Sequence, residues 1–469
     1  MGKASSLFHS DREHTLHKRI TPSPEQRDFL QLQWNALSEY LKTILYDKYG
    51  YPISTWLQGS YKYGTLIRPV NKSEEYDVDV GVYFSWESDG TAEPSPEQLR
   101  DWVQSALLNY SQKNSDIVSI SIPPKTRCSR AVYAKQFHID TPVYHLEPIT
   151  DKRRLATLPK SWEASDPKSF YKWFRDVATG ANRDQLRRLI RYLKAWAAVS
   201  FTSAENSRPS SILLTVLAVK AYNDEVSWLL LPLEDDDILT KVIQRIHSRL
   251  VENPEVLNPS TTQRENLNRI APEYWDGFLS RLRVLLDCAE DASAATDEAA
   301  AALAWGEAFS FLMPLPNAQE VEIARSEDAK SLMQVPDIKI SVYRQNPREL
   351  IAHHRNEVPN VAKGCDLVFT IENPHIIPEF ATIEWTVRNT SSESDDVGDL
   401  GHRRVGIHMF TAEEVTKYAG LHYMDCVVRV SGAVYAVRRI PVHIKDIKYP
   451  PRNPPLPFYK KIRSIRKKR

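Results

Sequence analysis

Apolar residues recur at helical spacing from Phe29 through Leu30, Leu37, Tyr40, Leu41 and Ile44 to Leu45, behind Ser23-Pro24-Glu25 and ahead of Gly50. A cap, a proline in the first turn and an acid near the positive end of the dipole mark a helix start, so one long helix is predicted there. The pattern then shifts to alternation. Strands are predicted around 55–58, 76–84, 117–122, 130–134 and 136–144, with a helix near 96–110 between the second and third. Helical periodicity returns over 168–177, 183–198, 210–222, 236–252, 262–289 and 298–311. Past 335 the chain alternates again, over 338–343, 366–371, 381–388, 426–430, 434–437 and 442–447.

These runs predict an α+β protein in segments: a loose polar N-terminus (1–22), a strand set with helices on one face (23–165), and a helical lobe (166–315). A linker (316–335), an all-β sandwich-like domain (336–448) and a tail (449–469) follow. The tail carries five prolines, eight Lys or Arg and no acid, a composition that cannot bury a core and is expected to be extended or disordered.

Composition narrows the function classes. With 42% hydrophobic residues in 469, more than one core is expected. A formal charge of +1 argues against a surface built wholly for nucleic acid, although the basic tail could still bind it. The four cysteines, Cys128, Cys288, Cys365 and Cys426, have neither metal-ligand spacing nor a disulfide pattern, which points to a reducing compartment. No apolar run of about 18 residues occurs, so neither membrane insertion nor a signal peptide is expected, and a cytoplasmic location follows.

The chemistry concentrates at Gln58-Gly59-Ser60 and, shortly after, Asp77-Val78-Asp79. Two carboxylates two residues apart on a strand share a face and repel unless a cation lies between them. Magnesium, a hard ion that shares oxygen ligands with phosphates, suits that position. Gly59 lets the backbone approach a phosphate, which the Ser60 hydroxyl and nearby N–H groups can hold. Asp140, in the alternating run Phe137-His138-Ile139-Asp140-Thr141-Pro142-Val143, would supply a third ligand. Each feature has a plain alternative: a solvated strand edge for Asp77 and Asp79, a turn cap before Pro142 for Asp140. As a set they describe a two-metal nucleotidyl-transfer site.

The fuller text, Gln58-Gly59-Ser60-Tyr61-Lys62-Tyr63-Gly64-Thr65 with Tyr76-Asp77-Val78-Asp79-Val80-Gly81-Val82-Tyr83-Phe84, resembles the polymerase-β-like nucleotidyltransferases. Within them it looks like the bacterial CD-NTases of the SMODS type, relatives of cGAS that make nucleotide second messengers in antiphage defence. The long gap between Ser60 and Asp77 is similar to that of the DncV-like branch. The resemblance implies a metal-dependent nucleotidyltransferase using NTPs or dNTPs, with two Mg²⁺ or Mn²⁺ ions on Asp77, Asp79 and Asp140. Gln58, Gly59 and Ser60 would bind the nucleotide. Its product would act on a downstream effector, soluble or membrane-bound.

Arg187, Arg191 and Lys194 lie along one helical stripe. By charge alone this is a basic solvated face; by the resemblance, Lys194 neutralises the donor phosphates, with Arg191 a weaker candidate that serves the fold. Ser210 and Ser211 are ordinary N-cap residues, and the resemblance brings Ser211 to the triphosphate. Residues 254–259 and 265–268 resemble the far wall of the cleft. Tyr222 and Trp305 are candidates for base stacking, with core packing as the alternative.

In the β-rich part, Ile383 to Asn389 and Thr416 to His422 look like the AGS-C sensor domain found fused to some of these enzymes. The plain alternative puts Trp385 in the core and His422 in a turn. Cyclic and linear products remain open, as do AMP transfer to a partner protein and a catalytically idle nucleotide sensor. A further alternative is a linear oligomer primed on the hydroxyl of Tyr459, flanked in the tail by Phe458, Lys460 and Lys461.

Overall fold

The computed structural model describes residues 2–72, 74–88, 93–158, 161–227, 233–261, 264–314, 335–345, 348–430 and 433–448. The linker and the tail, with Tyr459, lie outside them. The chain divides into two units, Met1–Pro316 with Asp396–Leu400, and Asn317–Asp395 with Gly401–Arg469.

In the first unit the N-terminal segment is not loose. It forms α1 (Ser5–Phe8) and α2 (Leu16–Ile20), and Phe8, Leu16 and Ile20 are fully buried. Phe8 packs edge-on against Tyr192, Trp305 and Phe309. A few apolar anchors among polar residues are enough to hold such a segment against a lobe that is already folded.

Helix α3 (Pro24–Tyr49) starts on a capping box between Ser23 and Gln26. Then come β1 (Ile53–Gln58), the one-turn helix α4 (Gly59–Tyr63), β2 (Tyr76–Ser85), α5 (Pro96–Ser111), β3 (Ile117–Ile120) and β4 (Ser129–Tyr133). The predicted strand over 136–144 is split by Pro142 into β5 (Phe137–Thr141) and β6 (Val143–Leu146), followed by β7 (Arg153–Thr157) and β8 (Ser161–Ala164). Pro142 has no N–H to give a ladder.

All eight strands form one sheet, in which β5 and β6 run parallel to successive halves of β2 and β1 runs antiparallel to it. Alternation along β2 sorts its faces. Val78, Val80, Val82 and Phe84 enter a core with Leu37, Leu41 and Leu45 of α3 and Leu99, Val103 and Leu107 of α5. The odd-numbered residues, including Asp77 and Asp79, therefore face the other way.

The lobe consists of α6 (Pro167–Val177), α7 (Gly180–Ser200), α8 (Ser211–Val226), α9 (Asp235–Glu252), α10 (Pro272–Ala294) and α11 (Glu298–Phe309). The helix predicted from 262 begins only at Pro272. Before it, Leu257 bridges to Asn266 and the Leu267 N–H donates to the Val256 carbonyl, tertiary pairings that override local spacing.

In the second unit, β9 (Ile338–Arg344), β10 (Glu349–Arg355), β12 (Cys365–Ile371) and β15 (Thr411–Val415) make one sheet. A second sheet holds β11 (Val358–Lys363), β13 (Thr382–Asn389), β14 (Gly401–Ile407), β16 (Gly420–Val430) and β17 (Ala433–Lys448). Both contribute to one core around Ile340, Phe369, Trp385, Met424 and Ile440, which makes this unit a sandwich. Among the described residues no helix is long and apolar enough to cross a membrane.

Candidate active site

The parallel register of β2 with β5 sets Asp77 beside His138 and Asp79 beside Asp140. These four residues therefore share the sheet face opposite the core. Ligand atoms of Asp77, His138 and Asp140 all lie within 4.8 Å of one another, a spacing that could hold a metal ion.

Each outer carboxylate has a fixed cationic or imidazole partner. Arg130, opposite Asp140 on β4, clamps it through two bonds, Nε to Oδ1 at 2.6 Å and Nη2 to Oδ2 at 2.7 Å. His138 lies between Glu75 Oε2 (2.7 Å, from Nδ1) and Asp77 Oδ1 (2.9 Å, from Nε2). Burial disfavours the charged form of Asp77, but His138, Arg130 and Lys125 outweigh it and hold its carboxyl below the usual value. Asp79 differs: burial, then Asp77 and Asp140, push its carboxyl well above the usual range against Arg130 and Lys194. His138 and Arg130 were not singled out in the sequence. The alternation that marked Asp140 also marks His138, two residues earlier; Arg130 depends on a strand pairing that no local pattern reveals.

Gly59 follows β1 directly, with φ +61, and a Cβ there would stand 2.2 Å from Asp79 Oδ2. The turn can thus pass against the carboxylate only if this residue has no side chain. Ser60 and Gly59 line a small cavity of ≈ 450 Å³ together with Asp77, Asp79, Lys194 and Ser211. Ser211 opens α8, whose cap is Ser210. Gln58 lines the larger cleft over the same carboxylates, with its side chain held by two phenols: its Nε2 donates to the Tyr83 hydroxyl at 2.9 Å and its Oε1 accepts from Tyr144 at 3.2 Å. Its side chain serves as a buried joint in the cleft floor.

Lys194 is buried, its Nζ 3.2 Å from the Thr65 carbonyl oxygen. Burial and then Arg191 lower its pKa to about 7, against the pull of Asp77 and Asp79. The basic stripe is not a solvated face. Arg187 Nε donates to the Tyr63 carbonyl at 3.0 Å and Arg191 Nη2 to that of Gly64 at 2.7 Å.

A larger cleft of ≈ 1810 Å³ opens over the same carboxylates, between the sheet and the lobe. Asn258 and Glu265 line it, from the two segments expected to form its far wall, and so do Ser260 and Arg269 just beyond those segments. Tyr222 and Trp305 do not reach it. Tyr222 is buried on Gln185 and Trp305 on Phe8 and Phe309, so both belong to packing. In the second unit Trp385 is core, donating from Nε1 to the Met409 carbonyl, and His422 is buried against the Tyr418 carbonyl.

Residues 53–144 match the family model of the cyclic GMP-AMP synthase DncV-like nucleotidyltransferase domain. Residues 321–445 match that of the adenylyl/guanylyl and SMODS C-terminal sensor domain. A cyclic GMP-AMP synthase of Escherichia albertii is 28% identical over 450 residues, 94% of this chain and 96% of the relative. A c-di-GMP synthase of Roseivirga ehrenbergii is 27% identical over 286 residues, 54% of this chain and 70% of its own length. Among solved structures, Vibrio cholerae DncV superposes with a TM-score of 0.56 at 18% identity, over 67% of this chain and 98% of that one. Its complex with the linear intermediate 5′ pppA(3′,5′)pG gives 0.53 at 19%, over 68% and 99%. At such identities the superpositions speak for the fold alone, and the two family models carry the assignment by domain: residues 53–144 match a DncV-like nucleotidyltransferase domain, and residues 321–445 match the adenylyl/guanylyl and SMODS C-terminal sensor domain.

Proposed function

We propose that this protein joins two nucleotides from their triphosphates into a cyclic dinucleotide, a signal for a downstream effector in antiphage defence. The observation that carries the reading is the convergence of Asp77, Asp79 and Asp140 beside the Gly59-Ser60 turn. The cleft supports it. At ≈ 1810 Å³ it exceeds the roughly 300–1,000 Å³ of a one-ligand site, which suits a reaction that must seat donor and acceptor together.

The residues fit a divalent cation. Burial, and then the nearby Asp77 and Asp140, raise the Asp79 carboxyl against Arg130 and Lys194, and a divalent cation among these three hard oxygen donors would relieve both the burial and the repulsion. Asp77, Asp79 and Asp140 would hold two Mg²⁺ or Mn²⁺ ions, which when bound lower the pKa of the attacking hydroxyl and neutralise the leaving pyrophosphate. Gly59 and Ser60 would cradle the donor phosphates, with Lys194 and Ser211 facing the same small cavity. His138 and Arg130 would fix the orientation of Asp77 and Asp140. The acceptor hydroxyl gives up its proton to solvent as its oxygen bonds the α-phosphorus and the bond from that phosphorus to pyrophosphate breaks; a second, intramolecular transfer closes the ring in the same way and releases a second pyrophosphate. The E. albertii and R. ehrenbergii relatives, named as cyclic dinucleotide synthases, support the cyclic product.

Incubation of the full chain with labelled NTPs and dNTPs plus Mg²⁺ or Mn²⁺, followed by mass analysis, tests the reading. A phosphatase-resistant dinucleotide is expected. Linear oligomers, or nucleotide mass gained by the protein, would replace it with the elongation or self-modification alternatives; nucleotide binding without pyrophosphate release would leave an idle sensor.

A further inference from the structure

Three cations of α7, four and three residues apart, meet three consecutive backbone carbonyls. Arg187 reaches Tyr63, Arg191 reaches Gly64 and Lys194 reaches Thr65. The first belongs to the last residue of the one-turn helix that begins at Gly59-Ser60, the second to its cap, and the third to the residue after it. A helix of five residues is not stable alone, and its final carbonyls have no partners within it. Cations suit that negative end of the turn.

The rungs differ in what else they face. Lys194 lines the small cavity, whereas Arg187 and Arg191 are absent from the described residues lining it or the larger cleft. Arg191 also points Nη1 at His17 Nε2, 3.1 Å away on α2. Burial, followed by Arg191 itself, lowers the His17 pKa to about 3, so the ring is neutral and accepts that bond. On the other side of the turn the Arg68 N–H donates to the Ile20 carbonyl at 2.7 Å, and its guanidinium to that of Thr21. The stretch from Gly59 to Arg68 is thereby held from α7 and from the N-terminal segment at once. Gly64 accommodates the close approach: it has φ +70, and a Cβ there would come within 3.2 Å of Arg187 Nε.

We infer that Arg187 and Arg191 are positioning residues that brace the Gly59-Ser60 turn through its terminal carbonyls, with His17 behind Arg191. The inference deepens the nucleotidyltransferase reading, since the braced turn is the one assigned there to the donor phosphates. A turn ordered beforehand spares the nucleotide the entropy of ordering it.

Hydrogen exchange on the nucleotide-free full chain tests the brace without any need for catalysis. The reporters are the amides of Gly64 and Thr65, which donate to the carbonyls of Tyr61 and Ser60. Arg191→Ala should exchange there on the order of tenfold faster, the equivalent of one charge-assisted hydrogen bond. Affinity for a nonhydrolysable GTP or ATP should fall by a similar factor, with the donor KM rising more than kcat falls. Arg191→Lys should recover part of both effects, because one N–H suffices at Gly64. Arg187→Gln, at a less buried rung, carries the same test if Arg191→Ala fails to fold. Unchanged exchange alongside weakened binding would overturn the brace in favour of direct phosphate contact, and unchanged exchange with unchanged binding would overturn it outright. If the wild type makes no product, the function proposed above fails while the exchange result still decides the brace.

Discussion

Asp79 pairs with Asp140 two residues along β2 from Asp77, and burial, then these two carboxylates, raise its carboxyl pKa. Replacing Asp77 and Asp79 together by Asn should abolish product, read by mass, while Asp79→Asn alone should hold or increase stability in chemical denaturation, since Asp77, with its lowered pKa, contributes in the opposite sense. The sign follows from linkage. A carboxyl with a raised native pKa binds more protons folded than unfolded, so stability falls as pH climbs from the ordinary carboxylate range through the native value. Asp79→Asn should flatten that fall. Lys194 works in the opposite sense. Its native pKa of about 7 lies below the unfolded value of 10.5, so the unfolded chain holds the extra proton and stability rises between those limits. Lys194→Met should remove the rise in a denaturation series across that window. If Lys194 meets the donor phosphates, Lys194→Ala should weaken triphosphate binding by on the order of 1–3 kcal/mol in calorimetry.

At the scale of elements, α2 carries a titration of its own. His17 is held neutral, with a native pKa of about 3 against an ordinary 6.5. As pH falls below 6.5 the unfolded chain gains a proton that the folded one refuses, so stability drops toward pH 3. His17→Gln should flatten that part of the acid-unfolding curve. Sequence reading reached the elements unevenly. The capping box of α3 and the alternation of β2 are local patterns, and both were legible, as was the strand setting of Asp140 on β5, the direct neighbour of β2. The clamp of Arg130 on Asp140 depends on β4 lying antiparallel to β5, a pairing set by distant packing. The early helical start at 262 followed the helical periodicity of 262–289, although Leu267 is tied back to Val256. The N-terminal anchors Phe8, Leu16 and Ile20 are too sparse to give any period. The stripe on α7 was visible as a stripe, but its acceptors are backbone carbonyls, which no sequence displays.

For the whole molecule, the core under the eight-stranded sheet of the first unit and the sandwich core of the second share no residue among those described. Trp385 anchors the second, and Trp385→Ala should cost the sandwich about 3–5 kcal/mol in denaturant unfolding, typical for a buried aromatic. If that unit senses infection, a chain ended after Gln334 should make its product at a level that no longer changes when phage is added; an unchanged response would remove the sensing role. The pairing of β2 with β5 has a consequence beyond chemistry, because the candidate site has a reading frame. Asp77 beside His138 and Asp79 beside Asp140 hold only while the two strands stay in phase, and a shift of one residue turns a whole strand over. Insertion scanning should therefore find no tolerated single-residue insertion from Asp77 to Asp79 or from His138 to Asp140. Conservative point changes at Val78 and Ile139, which keep the phase, should survive, so along this short stretch the protein guards spacing more strictly than identity.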